Sequence, residues 1–63
     1  MDNVQSNTVD RAAVEVVEAC GEWFVRVVED GKATTKSFEI EAFALTFAEG
    51  QRIRLGLKTI ARV

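Results

Sequence analysis

The stretch that decides the fold is Trp23-Phe24-Val25-Arg26-Val27-Val28-Glu29-Asp30-Gly31-Lys32-Ala33-Thr34-Thr35-Lys36-Ser37-Phe38. Asp30-Gly31 supplies the two φ > 0 residues of a type I′ turn, so the stretch reads as a hairpin with a two-residue loop. That loop sets a register: Glu29 faces Lys32, Val27 faces Thr34, Val25 faces Lys36 and Trp23 faces Phe38. Because side chains alternate along a strand, the register also assigns every residue to a face of the sheet.

Upstream, Val14 and Val16 alternate with Glu15, which predicts a strand over about 11–19. Cys20-Gly21 reads as a second two-residue loop, pairing Ala19 with Glu22, Val17 with Phe24, Val16 with Val25 and Val14 with Val27. Residues 22–29 and 32–38 complete an antiparallel meander. Residues 1–10 are polar and aperiodic, and read as a disordered tail.

Downstream, the period changes from two to 3.6. Ser37 is placed to cap a helix over about Glu39–Leu55, with Glu39 and Glu41 at the positive end of its dipole. Ile40, Phe43, Ala44, Phe47 and Ala48 form the expected buried stripe. Arg52 and Arg54 suit the negative end, and Gly56 followed by Leu57 suits a Schellman stop. Gly50, in the helix interior, points to close packing or a bend. Residues 58–63 read as either a short edge strand or a tail. The predicted fold is α+β: a three-stranded antiparallel meander packed on one C-terminal helix (β-β-β-α), with the domain over 11–57. Its core draws on Val14, Val16, Trp23, Val25, Val27 and Phe38 from the sheet, and on Ile40, Phe43, Phe47 and Leu55 from the helix.

A chain of 63 residues buries only about 60% of its unfolded surface, so a single core this small is marginal without a staple or a second copy. One cysteine excludes an intrachain disulfide, and zero histidines exclude both a Cys/His zinc site and His-based triads. The glycines are isolated, so no phosphate-cradling loop is present. The carboxylate pairs Glu29/Asp30 and Glu39/Glu41 read as turn and dipole chemistry, and Cys20 as a passive turn or sheet-edge residue. The expectation is a non-enzyme with no cofactor and no metal. The start lacks the basic and apolar regions of a signal peptide, and no stretch is long enough to span a membrane. This predicts a cytoplasmic protein of bacterial type.

The face of the sheet away from the helix would carry Val17, Phe24 and Val28 around a Glu15–Arg26 cross-strand pair. One helix cannot cover both faces, so Val17, Phe24, Arg26 and Val28 are the expected interaction residues. The expected partner is a second copy or another protein. The net charge of −2 argues against bulk nucleic-acid binding, but it is uneven. Arg52, Arg54, Lys58 and Arg62 are basic with no acidic residue from Gln51 onward, leaving about −6 on the first fifty residues. These four are the possible phosphate contacts of an alternative, nucleic-acid-binding reading.

Two resemblances bear on these readings. The meander followed by one helix, over roughly 11–57, resembles the arm-site DNA-binding modules of some tyrosine integrases. In that family the sheet enters the major groove, which implies a groove-facing surface rich in Lys and Arg. Here that surface has one arginine, Arg26, among Glu15, Val17, Phe24 and Val28. The stretch Gly21-Glu-Trp-Phe-Val through Ser37-Phe-Glu-Ile-Glu-Ala-Phe to Arg52-Ile-Arg-Leu-Gly-Leu57 is similar to short bacterial β-β-β-α proteins of unknown function. That resemblance implies the fold and no chemistry.

Overall fold

The computed structural model describes residues 12–63, so the tail predicted over 1–10 lies outside the described residues. The elements are β1 (Ala13–Ala19), β2 (Glu22–Glu29), β3 (Lys32–Phe38), α1 (Glu41–Leu55) and β4 (Ala61–Arg62). Both hairpins carry the predicted register, including Val17 with Phe24, Glu15 with Arg26, and Trp23 with Phe38. The turn chemistry explains why. Cys20 and Asp30 sit at φ 54° and Gly21 and Gly31 at φ 81°, the pair of left-handed residues that a I′ loop requires.

The sheet has one strand more than the meander, in the order β3-β2-β1-β4. β4 runs parallel to β1, with Glu15 beside Ala61 and Val16 beside Arg62. The Val63 N–H donates to the Val16 carbonyl at 3.0 Å. Residues 58–63 therefore contribute a minimal edge strand.

The helix begins later than its apolar pattern suggests. Ser37 lies within β3, and the N-cap is Ile40, extended at φ −122° and ψ 128°, with no side-chain cap. Its carbonyl accepts from the Phe43 and Ala44 N–H groups at 3.1 and 3.2 Å. Glu39 is thus outside the helix, and Glu41 alone places a carboxylate in the first turn. The far end is a Schellman motif. Gly56 is left-handed at φ 72°, its N–H donates to the Ile53 carbonyl, and the Leu57 N–H donates to the Arg52 carbonyl at 3.0 Å. Arg52 Nη1 donates to the Leu57 carbonyl at 2.9 Å and ties the stop down.

Among the described residues six are buried: Val14, Val16, Val25, Val27, Ala44 and Ala48. Trp23, Phe38, Leu45, Phe47, Leu55, Leu57 and Ile60 pack around them, half-buried. The two alanines let the helix backbone sit close on β1 and β2. Ile40 and Phe43 are a correction to the expected core, at 51% and 62% exposed. Ile40 precedes the helix, and at about 100° per residue Phe43 is carried well to the side of the Ala44–Ala48–Leu55 line. At Gly50 the close-packing alternative fails. The residue is exposed, and a Cβ added there would meet nothing within 4 Å, so close packing does not explain it.

Candidate interaction surfaces

The helix lies on one side of the sheet with Trp23, Val25 and Val27, which leaves the alternate residues on the other. Along the paired central strands that open face reads Ala13 with Val28, Glu15 with Arg26, and Val17 with Phe24. Val17, Phe24 and Val28 are half-buried, and Arg26 is exposed. Arg26 Nη1 donates to Glu15 Oε1 at 3.1 Å. The surface is therefore an ion pair with an apolar pair on each side of it. The β4 pairing adds Ala61 beside Glu15 on the same face. All four residues expected at the interaction surface are brought together here.

The four basic residues behave differently. Arg52 is held by Glu49. Arg54 donates to both carboxylate oxygens of Glu29 at 3.0 and 3.3 Å, and also to Gln51. Arg62 donates to Glu41 at 3.2 Å and sits 6.0 Å over the Trp23 ring, closing the rim of the core. Lys58 is exposed in the segment after the helix. Arg62 meets the first helical turn and Arg54 the last, roughly 20 Å apart at 1.5 Å per residue. The arginines therefore do not converge on one phosphate-sized site. Their guanidinium groups hold the Glu29 and Glu49 carboxyls below the ordinary carboxylate range, through hydrogen bonds first.

A third feature lies on the helix side. α1 crosses β1 and β2 and leaves β3 largely uncovered, opening a groove of about 370 Å³ between them. Its floor is Val27 and Phe47, its β3 wall is Lys32, Thr34 and Lys36, and its helix wall includes Gln51 and Arg54. The Lys36 ammonium lies 5.8 Å from the Phe47 ring centre. Phe47 also packs on Phe38, with ring centres 5.5 Å apart. The reading of sequence missed this groove, although the signal was present. The register puts Lys32, Thr34 and Lys36 on the helix side of β3, and three polar residues there mean that no helix covers them.

Among the described residues, no group of three or more His, Cys, Asp or Glu is placed to hold a metal ion. Among the same residues no helix is long and apolar enough to cross a membrane. Compared with protein families, curated proteins and solved structures, the chain matches none.

Proposed function

We propose that this chain is a small, non-enzymatic interaction module that pairs with a second copy of itself through the open sheet face. The observation that carries this reading is the poverty of the core. Among the described residues the buried ones are four valines and two alanines, while none of the five aromatic side chains is fully buried. A domain of this size gains most from covering its remaining apolar surface.

The layout of the face suits a two-fold axis. An isologous interface must be self-complementary, and a central Glu15–Arg26 pair lets each arginine meet the other copy's glutamate. With the axis parallel to the strands, Val17 of one copy would then lie over Phe24 of the other, and Ala13 over Val28. At about 3.3 Å per residue and 4.8 Å between strands, the face spans roughly 20 by 15 Å. That is roughly 300 Å² on each copy, below the usual size of a specific interface, so pairing should be weak and set in at about hundreds of micromolar. Phe24 is already half-buried, so covering the rest of it contributes about 0.5–1.5 kcal/mol per copy.

Sedimentation velocity with light scattering at about 10 µM and about 500 µM, which brackets the range given by this affinity argument, tests the reading. The native chain should move from near-monomer toward twice its mass. Phe24→Glu should stay monomeric at both concentrations with an unchanged far-ultraviolet spectrum. A native chain that remains monomeric throughout, or a Phe24→Glu variant with native mass, refutes the proposal. The nucleic-acid alternative draws no support from arginines that are each held by a carboxylate.

A further inference from the structure

We infer that the outer edge of β3, together with the groove beside it, is a docking site for an extended acidic segment of another protein, which adds to the sheet as a fifth strand. This edge is separate from the open face and does not rest on the self-pairing proposal. Among the described residues, β3 has a neighbour on one side only. In a hairpin with a two-residue I′ loop, the loop-flanking residues Glu29 and Lys32 exchange hydrogen bonds, and every second pair thereafter does the same. The N–H and C=O groups of Ala33, Thr35 and Ser37 are consequently directed away from β2. The same alternation applied to the first hairpin directs the Val16 carbonyl outward, where it accepts from Val63. Three residues of unpaired backbone are enough to template a short strand.

Charge decides what kind of strand fits. Side chains of an added strand alternate, and those on the helix side would enter the groove over Val27 and Phe47, between Lys32 and Lys36 on one wall and Gln51 on the other. The groove has two carboxylates, Glu29, which is occupied by Arg54, and Asp30 in the loop at its end, against the three cations Lys32, Lys36 and Arg54, so its balance is positive. Among the described residues neither lysine takes part in an ion pair. Lysines on an edge discourage pairing with apolar strands, but they favour a strand bearing carboxylates. A second β3 across a two-fold axis would gather four lysines on one face, which disfavours self-pairing at this edge. Lys32 and Lys36 are four residues apart. The complementary segment therefore has acidic residues four apart with an apolar residue midway between them.

A fluorescein-labelled nonapeptide tests this, with glutamate at its third and seventh positions, valine at its fifth and threonine elsewhere. Binding is followed by polarisation, and amide exchange by NMR on the full chain. The peptide should bind, and the Ala33, Thr35 and Ser37 amides should gain protection. A peptide of the same composition with glutamates three apart puts its carboxylates on opposite faces in any register, and should bind about tenfold more weakly. Lys36→Glu should weaken the first peptide to a similar degree. Thr35→Pro removes an N–H that the β2 pairing does not use, so the variant should fold and lose binding. No binding up to about 1 mM, the weak limit for such an encounter, would overturn the inference. So would equal affinity for both peptides, or full binding by a folded Thr35→Pro. If Thr35→Pro does not fold, undiminished binding by Lys36→Glu gives the same refutation.

Discussion

Val25 and Phe43 offer a direct contest between size and placement. Val25 is fully buried in the central part of the sheet, whereas Phe43, a much larger side chain, is 62% exposed on the flank of the helix. Val25→Ala deletes two methyl groups, worth about 1.6 kcal/mol by transfer at roughly 0.8 kcal/mol each. It also leaves a cavity of roughly 50 Å³ that adds about 1 kcal/mol at 24 cal/mol per Å³. The total is about 2.5 kcal/mol, which for a chain of this length lowers Tm by roughly 10–20 °C. Phe43→Ala removes far more apolar surface, but most of it is already in water, and alanine is the better helix former. Its effect should lie within about 0.5 kcal/mol of zero. Urea and thermal unfolding at about 10 µM, below the concentration at which self-pairing should matter, measure both variants. A Phe43→Ala loss equal to or larger than that of Val25→Ala would refute the placement of the helix on the sheet.

The glycines separate in the same assay. Gly50→Ala fills open space in the helix interior and should stabilise by about 0.5–1 kcal/mol, whereas Gly31→Ala forces a Cβ onto φ 81° and should cost about 1–2 kcal/mol; equal effects at the two positions would contradict the turn geometry. Acid titration should expose the Arg54–Glu29 and Arg52–Glu49 pairs. Both carboxyls are lowered from their ordinary 4.5, so their contribution is complete above that pH and is lost as the pH falls through the lowered folded-state values. Stability measured by urea midpoint should therefore decline below about pH 4.5, and the decline should be shallower in Glu29→Gln; an identical slope in that variant would show the Arg54 pair to be inert.

The meander was legible because its information is local. Two loop residues with positive φ, a fixed strand period and alternating valines leave a single register, and with it the open face and the Glu15–Arg26 pair. The phase of the helix was less legible because apolar residues occur on both sides of the true line. Ile40 and Phe43 extend one plausible stripe, and only contact with the sheet selects Ala44, Ala48 and Leu55. β4 is too short at two residues to carry a period, and its parallel pairing depends on where the helix delivers the chain. The partners of Arg54 and Arg62 are 25 and 21 residues away. Those arginines therefore read as a basic cluster in one dimension and as separate struts in three. The groove was legible in principle, from the polar alternation of β3, once a face had been assigned to each residue.

The two I′ loops have a kinetic consequence. Each joins neighbouring strands through only two residues, so most of the sheet can zip from either bend without first closing a long segment, and the chain contains no proline. Folding should therefore run as one fast phase, in the microsecond-to-millisecond range typical of low contact order. No isomerisation step on the scale of tens of seconds should follow it.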